Sequence, residues 1–222
     1  MNNPTISVII PNYNHARYLD QRIQSVLNQT YQDFEVIILD DCSTDNSLAV
    51  IEKYTADPRV AHVIVNEKNS GNTFLQWDKG LHLASGELVW IAESDDYCEL
   101  NMLEELVSAF QLRKNTKIAY STTWYVDEEH KWARFKEGRT QHISGRNFLR
   151  KYLVLENTVQ NASCALFDRL TALSIGTDYT KYRGIGDYWF WLRIAEKGGV
   201  TIVNRHLSYF RRHKGVVTSK CI

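Results

Sequence analysis

Glycine and proline are scarce in this 222-residue chain, at 11 and 3 residues, and no stretch is repetitive or low in complexity. That excludes repeat arrays and disordered linkers. Cysteine is also sparse. Cys42, Cys98, Cys164 and Cys221 stand far apart with no CxxC pair. This excludes a disulfide frame or zinc ribbon and reads as free thiols in a reducing cytoplasm. No apolar run is long enough to span a membrane. Met1-Asn2-Asn3-Pro4 is polar and leads directly into a strand pattern, so no signal peptide is expected. No charge sign dominates: Lys plus Arg and Asp plus Glu number 26 each. Nothing therefore points to nucleic acid or to an acidic tail. There is no GxGxxG, which argues against a nicotinamide dehydrogenase.

What the chain does have is an ordinary globular composition, 44% hydrophobic and 23% charged. Its first half alternates strand and helix. Ile6–Ile10 is a β-branched run, as in a strand buried on both faces, followed by Pro11-Asn12-Tyr13-Asn14. Tyr18, Leu19, Ile23, Val26 and Leu27 then form a helical stripe. Further strands are expected at Phe34–Leu39, Val60–Val65 and Leu88–Ala92, and further helices around Leu48–Tyr54, Thr73–Ala84 and Met102–Phe110. Ser43 or Asp45 is a candidate cap for the helix that follows them. This order implies an α/β fold with a parallel sheet.

The second half is less regular. Strands are expected at Ile118–Thr122, Cys164–Phe167, Val200–Val203 and Leu207–Phe210, with helices at Gly145–Leu155 and Tyr188–Glu196. The charged segment Glu128–His142 reads as a mobile loop over the site. No linker divides the halves. The expectation is one domain over 1–222, with a nucleotide half at 1–115 and an acceptor half at 116–222.

In open α/β sheets ligands bind at the carboxyl ends of the strands. Three polar clusters fall there: Pro11–Asn14, Asp40–Asp45 and Glu93–Asp96. The third is the most informative. Carboxylates crowded at the exit of a buried strand repel one another and resist desolvation. A divalent cation bridged to a diphosphate is the usual compensation. A polar strand-ending turn is the plainer alternative.

Five short motifs in order resemble the inverting family 2 glycosyltransferases of bacterial polysaccharide type. They are Ser7–Asn14, Leu39–Asp45, Glu93-Ser94-Asp95-Asp96, Gly186-Asp187 with Trp191-Leu192-Arg193, and Tyr209-Phe210-Arg211-Arg212-His213. The resemblance covers nearly the whole chain. It implies a GT-A fold, which is a Rossmann-like, mostly parallel sheet flanked by helices. It also implies transfer of a sugar from a nucleoside diphosphate donor, UDP-linked by expectation, to a hydroxyl acceptor.

The resemblance assigns roles to individual residues. Pro11 and Tyr13 would hold the base, the ring by stacking. Asp41 would accept from the imide N–H of uracil, which predicts tighter binding of UDP than of CDP. Asn69 and Gly71 would line the nucleotide. Asp95 would face the ribose and metal region, Asp96 would ligate Mn2+ or Mg2+, and His213 would complete the metal shell. Arg211 and Arg212 are candidate phosphate contacts. Asp187 would be the base that deprotonates the acceptor, with capping of its helix as the other reading. Tyr182, Tyr188, Trp189 and Trp191 around it are core residues or stacking faces for an acceptor sugar.

Three departures stand out. Trp77 occupies the place of a usual arginine, with Lys79 as the nearby charge. Glu93 replaces an aspartate, and Gly186 replaces the Glu of a Glu-Asp pair. The partners implied are a nucleotide sugar and a glycan or lipid-linked saccharide, and no nucleic acid. Peripheral association with the inner membrane face is left open. The rivals are a phosphohydrolase, which lacks its aspartate after the first strand, and a degenerate module that only binds sugar nucleotide.

Overall fold

The structure is a computed structural model describing residues 5–213. Cys221 and Met1–Pro4 lie outside the described residues. Strand β1 (Ile6–Asn12) is followed by helix α1 (Ala16–Leu27), β2 (Phe34–Asp40), α2 (Ser47–Glu52), β3 (Val60–Val65), α3 (Thr73–Leu83) and β4 (Leu88–Ile91). β2, β1 and β4 pair in parallel, with Asn12 level with Asp40 and Ile9 level with Ile91. That register brings the three polar clusters to one edge of the sheet. It is the arrangement expected from the alternating pattern.

The strands are apolar on both faces because helices cover both. Ile9, Ile37, Leu39, Val89 and Ile91 pack with Phe74, Trp77 and Leu81 of α3. Ile6, Val8, Ile10, Val36, Ile38 and Trp90 pack with Leu19, Ile23 and Val26 of α1. The alternation is that of a pleated strand. α4 (Met102–Gln111) joins the second layer through Met102, Leu103 and Leu106.

The second half extends the same sheet with mixed direction. After β5 (Tyr97–Cys98) come β6 (Thr116–Val126), β7 (Lys131–Ala133) and β8 (Gln141–Ile143). α5 (Gly145–Phe148) continues as a π turn at Leu149–Leu153, where one longer helix is expected. β9 (Ala165–Asp168) runs antiparallel to both β4 and β6 and so joins the halves. α6 (Arg169–Ser174) and α7 (Gly186–Ala195) lead to β10 (Gly199–Arg211). The resulting order is β3-β2-β1-β4-β9-β6-β10-β5, with β7 on β6 and β8 on β10.

Two expectations change here. β10 is one strand where two are expected, because register shifts around Val203, His206 and Ser208 turn Asn204 and Arg205 out without ending the pairing. The segment read as a mobile loop is pinned. It forms β7 and β8, and His206 bonds the Phe135 carbonyl at 2.8 Å and the Glu137 carboxylate at 3.2 Å.

Gly145 shows how tightly the second half closes. A Cβ there would lie 1.8 Å from the Ala195 carbonyl oxygen and 2.2 Å from that of Gly198. Backbone cannot yield as a side chain can. Gly145→Ala is expected to cost about 3 kcal/mol, the upper end of overpacking. Urea titration checks this, and an unchanged midpoint would mean that α5 shifts freely.

Candidate functional site

The loops after β1 and β2 are built as one unit. The Asp40 carboxylate accepts from Asn12 Nδ2 at 2.7 Å, Ser43 Oγ at 2.6 Å and Ser43 N at 2.8 Å, which makes it structural. Asn14, at φ 56°, accepts from the amides of Thr44 and Asp45. Asp45 bonds the first-turn amides of both α1 and α2, through Ala16 N and Ser47 N, so it serves two helices where one cap is expected. Cys42 takes φ 63°, a left-handed conformation that is uncommon for a residue other than glycine. Pro11 is buried within β1. The Tyr13 ring is 46% exposed at the same edge and available for stacking.

Asp41 follows β2 and is engaged by the loop at 66–72. Its carboxylate accepts from Asn66 Nδ2, Asn69 Nδ2, the Ser70 amide, Ser70 Oγ and Gln76 Nε2, at 2.7–3.2 Å. A carboxylate has about four lone-pair sites, so these five donors saturate it. Asp41 therefore folds the 66–72 loop, and reading a base would require it to give up a partner. Asn69 belongs to this network, and Gly71 turns the loop at φ 70°. Lys79 donates to Asn66 at 2.6 Å and so supports the loop. Arg183, which sequence reasoning missed, lies beside Gly71: a Cβ there would be 3.7 Å from its Nη2.

The acid cluster is the electrostatic centre. Glu93 is partly buried against Trp77, whose indole N–H donates to its carboxylate at 2.8 Å. Burial and the neighbouring Asp95 push Glu93 up to about 8. Asp96 is 1% exposed and accepts from Asn161 Nδ2 at 2.7 Å and the Arg211 amide at 3.0 Å. Burial and Asp95 push it up to about 7. Burial would raise Asp95 too, but the hydrogen bond from His213 and the charges of His15 and His213 outweigh it and hold it low. The negative charge of the cluster is thus concentrated on Asp95.

Asp95, not Asp96, meets the histidine. His213 Nε2 is 3.0 Å from Asp95 Oδ2. His15 joins them, and one ligand atom from each of the three lies within 4.8 Å of the others. Asp96, expected to share the metal with His213, is not in this group. Successive residues face opposite ways here, and Asp96 turns toward Asn161. His15 was missed; its proximity follows from the β1–β4 register. Its Nδ1 bonds Ser94 Oγ at 2.8 Å, which orients the ring.

Arg211 braces the site. Its guanidinium bonds the Asp95 carbonyl at 2.7 Å and the Gln21 amide oxygen, and it lies over the rings of Tyr18 and Tyr97. Arg212 lies over Phe210. Arg22 was also missed. It is fully buried, donates from Nε to the Glu93 carbonyl at 2.9 Å, and sets a positive charge behind the acids.

Asp187 stands in the first turn of α7. It accepts from Asn157 Nδ2 at 2.9 Å. Burial raises its pKa against the lowering effect of the amides of Tyr188 and Asp187 and of Asn157. The helix N-terminus therefore does not leave it a weak base. Gly186 has a packing reason: a Cβ there would lie 2.5 Å from both the Phe74 ring and the Tyr179 carbonyl. Of the aromatics nearby, Trp191 is core, Tyr188 bonds the Leu153 carbonyl, and Tyr182 is 43% exposed.

One loop links these groups. Asn157 bonds Asp187, Gln160 bonds the Thr123 amide, and Asn161 bonds Asp96. None of the three amides stood out in the sequence.

A carboxyl whose folded pKa is raised binds its proton more tightly folded than unfolded. Stability then falls as pH rises from the unfolded value through the folded one. Asp187→Asn removes that loss. Its melting temperature at pH 7 is expected to equal or exceed that of the parent, with the difference shrinking on acidification. A drop of several degrees at pH 7 would show that the carboxylate holds the fold together.

Known proteins resemble this chain in sequence and in fold. The chain is 35% identical over 124 residues to the glycosyltransferase GlyG of Streptococcus pneumoniae, covering 55% of this chain and 40% of GlyG. It is 33% identical over 132 residues to the chondroitin synthase of Escherichia coli, covering 57% of this chain and 18% of that protein. The chain thus spans less than half the length of either relative. TarS residues 1–349 of S. aureus, solved with UDP-GlcNAc, superpose with a TM-score of 0.81 at 20% identity, covering 98% of this chain and 61% of that one. The fold is therefore the expected GT-A α/β architecture. The glycosyl transferase family 2 model matches residues 7–171, and the chain belongs to that family.

Proposed function

We propose that the chain is a metal-dependent inverting glycosyltransferase that moves a sugar from a nucleoside diphosphate donor to a hydroxyl of a glycan or lipid-linked saccharide, in the building of a surface polysaccharide. The observation that carries this reading is the loop from Asn157 to Asn161, which bonds a raised carboxyl at one end and the acid cluster at the other. A base for the acceptor and an anchor for the leaving diphosphate are what a single displacement needs. The chondroitin synthase relative supports a glycan product, and the TarS complex supports a UDP-linked donor. The uridine preference rests on that likeness and not on Asp41.

In this reading Tyr13 stacks on the base, and the 69–71 loop with Arg183 meets the nucleotide. Arg183 then supplies the cation that Trp77 removes. Asp187 accepts the proton of the attacking hydroxyl, and its raised pKa makes it a better acceptor than an ordinary carboxylate. His15, Asp95 and His213 fit a divalent ion: two imidazoles and the one well-ionised carboxylate of the cluster converge. When bound, the ion offsets the charge of the departing diphosphate. Imidazole donors suit Mn2+ better than Mg2+, which prefers oxygen. Among the described residues no helix is long and apolar enough to cross a membrane. Trp77 and Gly186, two of the features that favour a degenerate binding module, both have packing reasons.

Calorimetry of UDP with Mn2+, Mg2+ or chelator tests the metal. Mn2+ is expected to give the tightest binding. Asp95→Asn should lose at least about tenfold of it, while Asp96→Asn keeps the Mn2+ dependence. Equal binding in chelator would overturn the metal, and loss confined to Asp96→Asn would overturn the ligand set. Asp187→Asn should bind UDP as the parent does and transfer no sugar. Turnover retained in that variant would place the base elsewhere.

A further inference from the structure

The segment from Arg139 to Leu155 differs in charge from the rest of the chain. It holds Arg139, Arg146, Arg150 and Lys151 and no Asp or Glu, although the whole chain is neutral. Its helical part, α5 and the π turn that continues it, is two-faced. Phe148 and Leu153 are buried, and Leu149 and Tyr152 pack beside them on the core. The pairs before, between and after these face out: Arg146 with Asn147, Arg150 with Lys151, and Val154 with Leu155. Two residues in and two out is the spacing of a helix with one packed face.

The outward pairs change in kind along the segment. The first two are polar, as a solvated face should be. The third is aliphatic. Val154 is 71% exposed and Leu155 81%, the highest values for a large apolar side chain among the described residues. Residues one helical turn apart are neighbours, so Arg150 and Lys151 border this pair. Arg146, Arg150 and Lys151 have no ion-pair partner among the described residues. The backbone holds the aliphatic pair in place. The amides of Val154 and Leu155 close onto the Leu149 and Tyr152 carbonyls at 3.0 and 3.2 Å. Tyr188 bonds the Leu153 carbonyl, and Asn157 bonds Asp187, so both ends of the 153–157 turn are tied to the start of α7.

We infer that this face docks on a membrane surface carrying anionic lipid, with Val154 and Leu155 entering the headgroup layer and Arg146, Arg150 and Lys151 meeting lipid phosphates. Aliphatic side chains bordered by unpaired cations match that boundary, which is apolar within and negative at its surface. A second copy of the chain fits less well, because a two-fold contact would set the cations of one copy against those of the other. A nucleic acid would meet the cations and leave the aliphatic pair in water. The inference stands on this surface alone and does not need the transferase reading. Docked in this way, the first turn of α7 lies on the membrane side.

Co-sedimentation of the full chain with vesicles tests this, using phosphatidylcholine alone and phosphatidylcholine with phosphatidylglycerol. Binding is expected with the anionic lipid and not without it, and raised salt should release it. Each cation near an anionic surface is worth about fivefold in binding, so Arg150→Gln with Lys151→Gln should weaken it by at least about tenfold. Val154→Ser with Leu155→Ser should weaken it by at least about tenfold as well. All these positions are exposed, so both double variants should keep the melting temperature of the parent and its affinity for UDP with Mn2+. Failure to bind either vesicle, equal binding to both, or binding that survives the serine pair overturns the inference. So does a dimer seen by light scattering that the serine pair dissolves, since the aliphatic residues would then serve a contact between copies. None of these outcomes bears on the donor reading, which UDP calorimetry tests separately.

Discussion

Glu93, Asp95 and Asp96 leave β4 within four residues, Asp96 buried and the other two partly so. Much of the architecture around them answers the cost of that burial. Desolvation alone would push every one of the three toward its neutral form. The fold spends its polar contacts unequally. Trp77 gives Glu93 one neutral donor, Asn161 and the Arg211 amide hold Asp96, and two histidines hold Asp95. Arg22 lies behind the group and lowers both Glu93 and Asp96, although burial still wins for each. The outcome is one well-ionised carboxylate, flanked by imidazoles, between two that favour their protons. That is a more specific arrangement than a patch of negative charge.

The departures from the family pattern belong to the same account. Trp77 is 2% exposed and packs edge-on against Phe74 and Phe190. It replaces a charge with a core residue, and it reaches Glu93 because the longer side chain brings the carboxylate toward the indole. Glu93 and Trp77 therefore form one local solution, not two separate losses. Gly186 likewise lets α7 start directly against the Phe74 ring and the Tyr179 carbonyl. Each substitution tightens the α3–α7 layer beneath the site.

The sequence made the first half of the fold legible because its strands are short β-branched runs and its helices carry clear stripes. The three loop clusters were legible for the same reason: parallel strands must end together. Asp187 was named through the family resemblance, from its place after Gly186 and before Trp191-Leu192-Arg193. Asp95 and Asp96 could not be told apart, since adjacent residues at a strand exit differ only in which way the turn sends them. The part Asp41 plays in folding the 66–72 loop was not legible, because its five donors come from four residues 25 to 35 positions later, and no spacing reveals that convergence. The antiparallel insertion of β9, the two-residue β5 and the bulges of β10 are tertiary choices with little local signature. Asn157 and Asn161 were invisible as two of many polar loop residues.

Those two asparagines give the site its stiffness. Each donates to a carboxyl from the same short loop, and a typical hydrogen bond of this kind is worth about 1 kcal/mol net. Gln160 fixes the loop between them to the Thr123 amide of β6 at 3.1 Å. Displacing the loop enough to release Asp187 would strain or break the bond to Asp96, and the reverse also holds. The acid cluster and Asp187, which come from opposite halves of the chain, are thereby held to a common frame. Positioning of this kind can supply a large share of a displacement barrier before any proton moves. A second half built on one continuous sheet with the first is what lets so few bonds achieve it.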